Sequence, residues 1–236
     1  MSLLTKKYRE AVSKDKNAVK EARIGYAFKT GIDILDWKNG KLVTVKGGEP
    51  YYSVGIEEGS YNMIIGKSGS GKTTLTMQIA AKIVEKYPNG TIYLDDVEGG
   101  ASITRFKTIT RWTDEMIEER LVYRNVGITA EEFYRNINRV YNLKMENKEE
   151  LTVVTDKLDE KGNPIEILEP TVYILDSLAM LVPESQSEED ELSGSMAQTA
   201  VAKTNSMIFQ KIIPKLKKAN IILFVINHIN QKIDIE

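Results

Sequence analysis

Gly66-Lys67-Ser68-Gly69-Ser70-Gly71-Lys72-Thr73 is the stretch that decides the fold. It follows the short apolar run Tyr61–Ile65 and opens a segment in which Leu75, Ile79 and Ile83 recur at four-residue spacing. A buried strand, a glycine-rich turn and an amphipathic helix are the elements that this order predicts. The stretch fits G-x-x-x-x-G-K-[ST], in which glycines let successive backbone N–H groups curl around an anion at a helix N-terminus. Lys72 then brings an ammonium to β- and γ-phosphates, and Thr73 brings a hydroxyl to Mg²⁺. The expected nucleotide cradle is therefore Gly66, Lys67, Ser68, Gly69, Ser70, Gly71, Lys72, Thr73 and Thr74, with ATP and Mg²⁺ as cofactors. The bland alternative is a Gly/Ser turn that caps a helix and leaves Lys72 in solvent.

Outward from this turn, strands alternate with helices. Thr91–Leu94, Val172–Leu175 and Ile221–Ile226 read as further buried strands, and Ala197–Leu216 as a helix with Pro214 kinking its last turn. Thr129-Ala130-Glu131-Glu132 reads as a capping box that opens a helix with Phe133, Ile137 and Val140 on one face. Leu151–Thr155 and Ile165–Leu168 flank Lys161-Gly162-Asn163-Pro164, an expected hairpin inserted between main-sheet elements. Continuous apolar strands separated by helices imply a sheet covered on both faces. The fold class expected is α/β: a three-layer P-loop NTPase with a mostly parallel central sheet, helices on both faces and an inserted hairpin.

In such sheets ligands gather at the carboxyl ends of the strands, so the polar residues there are the site candidates. Asp176 comes directly after Val172–Leu175, where an acid can hold the metal's water shell, or can simply cap the next turn of chain. Thr73 and Asp176 are thus the expected metal residues. Past Thr91–Leu94 come Asp95, Asp96 and Glu98. Any of the three carboxylates could take a proton from an attacking water, and spacing alone leaves that base open. His228, the only histidine, ends Ile221–Asn227; a lone histidine is commonly a satisfied polar side chain, but its place at this edge also suits contact with a γ-phosphate. Ser102, Arg105 and Phe106 are candidates for the base pocket, with Phe106 able to stack. Gln78 reads as a helix-surface residue, and Trp37 and Trp112 as anchors of inserted segments.

Composition narrows the classes. The 236 residues carry 32 Lys+Arg and 34 Asp+Glu, a net charge of −2, which argues against a uniformly basic surface. The longest apolar run is six residues, far from the ~20 a spanning helix needs. With no cysteine, disulfides and thiolate sites are excluded. A reducing, cytoplasmic setting is expected. Residues 1–29 hold eight basic and three acidic side chains, so a basic N-terminal helical segment is expected ahead of a core over residues 30–236. It reads equally as a solvated helix or as an arm that docks on a neighbouring subunit.

Taken in order, these segments resemble the ATPase core of the RecA/RadA recombinase family, most closely a phage-type recombinase of the UvsX kind. Thr30-Gly31-Ile32-Asp33-Ile34-Leu35-Asp36 is similar to the family's T-G-x-x-x-L-D, and Gly66–Thr74 to its G-x-x-x-x-G-K-T-T. Asp96-Val97-Glu98 falls on its D-x-E, which implies that Glu98 is the base. Leu175-Asp176-Ser177-Leu178-Ala179 resembles its metal-binding strand. Ile226-Asn227-His228 falls where its γ-phosphate sensor leads into a DNA-binding loop, which implies sensor roles for Asn227 and His228. The catalytic residues implied are Glu98, Lys72 and His228. The partners implied are single-stranded DNA and further copies of the chain in a helical filament, with no membrane. The activity implied is DNA-dependent ATP hydrolysis in recombination and repair.

Departures are visible as well. Lys38–Tyr52 reads as an insertion, and Glu98–Asp176 is lengthened by the hairpin. Pro183–Met196, at the position of the first DNA-binding loop, has five acids, no Lys or Arg, and no aromatic, so it would repel phosphates and offer no stacking. Glu236 falls within the family's second DNA-binding loop, so a chain cut short is expected. A ring helicase on the same core, or an ATP-gated assembly protein without DNA, are the competing functions.

Overall fold

A computed structural model describes residues 25–187 and 195–229. In chain order it holds β1 (Ala27–Phe28), α1 (Asp33–Lys38), β2 (Lys41–Val43), β3 (Tyr51–Ser53), β4 (Ile56–Glu57), β5 (Tyr61–Gly66), α2 (Lys72–Val84) and β6 (Thr91–Asp96). There follow α3 (Ile103–Thr110), α4 (Asp114–Arg120), β7 (Leu121–Arg124), α5 (Ala130–Glu146), a turn of helix at Lys148–Leu151, β8 (Thr152–Leu158), β9 (Pro164–Leu168) and β10 (Thr171–Asp176). A 3₁₀ turn (Leu178–Met180), a short helix (Glu184–Ser187), α6 (Ser195–Ala219) and β11 (Ile221–His228) complete the described chain.

Five strands form the central sheet in the order β5-β11-β10-β6-β7, and every pairing is parallel. The α/β architecture of a P-loop NTPase with helices on both faces is therefore the fold. The two-residue side-chain period divides its middle strands between two cores. Val172 and Ile174 of β10 and Ile222, Phe224 and Ile226 of β11 face the layer containing α2 and α3. Tyr173 and Leu175, with Ile221, Leu223 and Val225, face α5 and α6 through Phe133, Ile137, Ile212 and Leu216. Each such side chain contributes about 1.5–3 kcal/mol relative to exposure. That is why six consecutive apolar residues make a strand here.

Register turns this sheet into a scaffold. Asp176 lies opposite both Asp96 and Ile226, while His228 lies opposite Gly66 and Asn227 opposite Ile65. Asp96, Asp176, Asn227 and His228 thus reach one edge. Thr129 caps α5 by accepting from the Glu132 amide at 3.1 Å. Pro214 lies inside α6, which continues beyond the expected end at Leu216 to Ala219.

Both inserted segments are ordered and touch each other. β2 and β3 form one antiparallel ribbon and β8 and β9 another. The Lys46 amide donates to Glu160 O at 3.0 Å, and the Tyr51 hydroxyl to Leu158 O at 2.8 Å. Gly162, with φ of 87°, turns the second ribbon where a residue with a Cβ would be strained. The Thr30–Asp36 segment closes on itself, because buried Asp36 Oδ1 accepts from both the amide and the hydroxyl of Thr30, at 2.8 and 2.7 Å.

One boundary moves. Ala27 and Phe28 pair with Glu57 and Ile56, and Phe28 sits in the main core, so the folded core begins before residue 30. Residues 1–24 of the expected N-terminal segment, residues 188–191 of the acidic stretch at 184–191, and residues 230–236 lie outside the described residues.

Candidate active site

Positive φ values at Gly69 (72°) and Gly71 (83°) bend the loop between β5 and α2. A Cβ at either position would meet nothing within 4 Å, so backbone conformation, not crowding, asks for glycine there. The open concavity in front of α2 has the form of an anion cradle. Lys72 is 7% exposed, and its Nζ donates to Gly66 O at 3.1 Å and Lys67 O at 2.8 Å. His228 Nδ1 lies 3.4 Å from the same ammonium. On its other side, His228 Nε2 lies 2.9 and 3.0 Å from the two carboxylate oxygens of Glu98. Lys72, His228 and Glu98 therefore form one contact line from the phosphate loop across the end of β11 to the segment after β6.

Asp176 anchors the floor. Thr73 Oγ1 donates to Asp176 Oδ2 at 2.5 Å, while Oδ1 is buried with no hydrogen-bond partner. Burial pushes this carboxyl above its usual range, and the Thr73 hydroxyl only partly offsets that. Glu98, Asp176 and His228 each bring a ligand atom within 4.8 Å of the others. A hard divalent cation favours oxygen donors, so an orphaned carboxylate oxygen beside a hydroxyl suits Mg²⁺ at Thr73 and Asp176. Asn227 Oδ1 accepts from the His228 amide at 3.0 Å, at the end of β11.

The acids left open by spacing separate by environment. Asp95 is 1% exposed; it receives two bonds from Arg124, at 2.6 and 2.8 Å, and one from the Tyr173 hydroxyl. Burial nevertheless pushes its carboxyl up, against the pull of those partners. Asp96 accepts from the Gly100 and Ala101 amides, at 3.1 and 2.8 Å, and from the Tyr123 hydroxyl. Asp95 thus ties β6 to β7 and β10, and Asp96 holds the chain after β6. Glu98, with its side chain 38% exposed, is the carboxylate facing the phosphate loop.

Phe106 requires a correction. It is 0% exposed, with its ring edge-on to buried Trp112 at 5.4 Å, so it is a core residue and has no face free for a base. Helical spacing put the ring on the buried side of α3. Ser102 is the N-cap of α3, accepting from the Arg105 amide at 3.1 Å. Arg105 remains at the rim, donating to Thr74 Oγ1 at 2.8 Å, a contact across 31 positions with no signature in sequence. Gln78 is exposed on α2. Trp112 anchors the core, whereas Trp37 is 66% exposed and packs on Tyr52, 5.2 Å between ring centroids.

Residues 51–213 match the family described as ABC transporter, a span from β3 to near the end of α6 that includes the phosphate loop, Glu98 and Asp176. The chain belongs to that family. What membership and geometry share is a P-loop ATPase core that binds a nucleotide. The chain is also 26% identical over 181 residues to Protein RecA of Rickettsia canadensis (strain McKiel), across 77% of this chain and 43% of that protein. The chain thus spans less than half the length of this relative, and the likeness supports a RecA-like core. Among the described residues, no helix is long and apolar enough to cross a membrane.

Proposed function

We propose that this chain is the ATPase core of a RecA/RadA-type recombinase, which hydrolyses ATP on single-stranded DNA and exchanges homologous strands within a filament of copies. The observation that carries the reading is the line Lys72–His228–Glu98, since it joins the phosphate loop to the strand end from which, by resemblance, a DNA-binding segment departs. In this mechanism Lys72 turns from the Gly66 and Lys67 carbonyls to the β- and γ-phosphates, and Arg105 closes the rim beside Thr74. Thr73 and Asp176 would hold Mg²⁺, which supplies charge neutralisation at the phosphates. Glu98 accepts a proton from the attacking water, oriented by its contact with His228 Nε2. His228 and Asn227 link that position to the residues beyond β11. A basic N-terminal segment docking on a neighbour's core, and work in the cytoplasm, complete the reading.

A second reading is favoured by the match over residues 51–213: an ATP-gated mechanical core that needs no DNA. ATP turnover with and without single-stranded DNA separates the two. Stimulation by single strands, lost in Lys72→Ala, is the expected result; turnover indifferent to DNA would overturn the recombinase reading.

A further inference from the structure

At the far end of α2 from the phosphate loop lies a cavity of about 560 Å³, between the inserted ribbons and the β1 strand. Its wall is aromatic and basic at once, from Tyr51, Tyr52 and Tyr87 with Lys29, Lys86 and Lys157. Tyr26, Phe28 and Lys82 belong to the same lining, and Asp156 is its one acid. The parts come from four separate stretches of chain, including both insertions for which the active site has no use.

The cations differ in how they are engaged. Lys157 is bonded to Asp156 at 3.1 Å and lies 5.5 Å from the centre of the Tyr51 ring. Lys82 pairs with Glu85 at 2.5 Å. Lys29 and Lys86 are exposed and have no ion-pair partner among the described residues. Tyr52 is 53% exposed, with its ring centroid 5.2 Å from that of Trp37. Burial holds the Tyr51 and Tyr87 phenols above their usual range, so they stay neutral and add no charge that would repel an anion.

We infer that this cavity is a second, non-catalytic nucleic-acid site that takes a single-stranded segment, with a base stacked at Tyr52 and flanking phosphates on Lys29 and Lys86. Stacking on aromatic faces with lysines along the backbone is the chemistry of sequence-tolerant single-strand binding. The volume of about 560 Å³ leaves room for a nucleotide unit, and the two lysines come from different parts of the chain, Lys29 directly after β1 and Lys86 just past α2. The choice of nucleic acid over another anion rests on the recombinase reading above. The site also answers the problem set by Pro183–Met196, whose five acids give phosphates no counter-charge.

The test is binding of a labelled oligo(dT) by fluorescence anisotropy over a salt series, with the full chain and its Lys29→Glu/Lys86→Glu and Tyr52→Ala variants. The double variant is expected to bind roughly 10–30-fold more weakly and to lose about 1.4 from the slope of log K against log[salt], as two lost phosphate contacts demand. Tyr52→Ala is expected to weaken binding about fivefold or more with the slope unchanged. ATP turnover without DNA should be the same in all three proteins. Unchanged affinity and slope in the double variant would overturn the proposal. So would an oligo-glutamate of equal charge that competes as well as oligo(dT), or dTMP that binds as tightly as the oligonucleotide, since those outcomes assign the cavity to acidic peptides or to a free nucleotide. If DNA fails to stimulate turnover while the double variant still loses oligo(dT), the cavity stands and the recombinase reading falls. If stimulation holds while the variants bind normally, only the cavity falls.

Discussion

Replacing Phe106 separates a core ring from a base-stacking ring. The side chain is 0% exposed and touches Trp112 edge-on, in a cluster that includes Met77 and Ile117. Truncating a ring so placed costs about 3–5 kcal/mol, and an aromatic pair of this geometry accounts for about 0.5–1.5 kcal/mol of it. With an m value of about 2–3 kcal/mol/M for a domain of this size, Phe106→Ala lowers the urea midpoint by roughly 1–2.5 M. Phe106→Leu keeps most of the volume and is expected to lose only about 1–2 kcal/mol. For that milder variant, which remains folded, nucleotide affinity measured by a fluorescent ATP analogue should stay within about twofold of the parent. A tenfold weaker nucleotide affinity with an unmoved urea midpoint would refute the argument and return Phe106 to the base pocket.

Asp95, within β6, and Glu98, beyond it, should divide by assay. Lys72→Ala and Glu98→Gln are each expected to cut ATP turnover by about 10²-fold or more with little change in the thermal midpoint; unchanged turnover in Glu98→Gln would pass the base role to another group. Asp95→Ala removes the carboxylate that the Arg124 guanidinium and the buried Tyr173 hydroxyl share, leaving them only each other, and should cost about 3 kcal/mol or more in urea unfolding, with turnover per folded molecule retained. Lys144 is 5% exposed, and its ammonium donates to Glu169 O, Thr171 Oγ1 at 3.0 Å and Asn220 O at 3.1 Å. Burial lowers its pKa to about 7 from the ordinary 10.5, so between those values the unfolded chain binds more protons than the folded one. Stability should therefore rise as pH goes from 7 to 9. Lys144→Met should flatten that rise in urea midpoints, and an equal rise in the variant would assign it elsewhere.

Much of this molecule is readable before folding, because its strongest signals are local. The phosphate loop, the buried runs at Val172–Leu175 and Ile221–Ile226, and the ribbon at 151–168 each carry their reason within a few residues. β7 escaped because Leu121–Arg124 is four residues long and begins where α4 stops. Phe106 misled because an aromatic near a nucleotide site looks the same whether it faces a base or a core. Roles that arise only across the sheet were hidden for a deeper reason. Arg124 reaches Asp95 from 29 positions away and Lys144 reaches Asn220 across 76, and neither spacing has a period that could announce it. His228 and Glu98 are separated by 130 positions, so their contact follows from strand order alone.

Strand order also bears on how the protein is made. Among the described strands, β5 has one neighbour in the central sheet, β11, and that neighbour starts at Ile221. At ribosomal rates of about 5–20 residues per second, the roughly 155 residues between them take on the order of 10–30 s to emerge. Throughout that interval the strand carrying the phosphate loop lacks the backbone partners that Leu223 to Ile226 later provide. The nucleotide pocket is thus among the last features to mature on a nascent chain. Pauses in translation before residue 221 would leave an apolar strand waiting, which makes this stretch of the message a natural place for chaperone dependence to be decided.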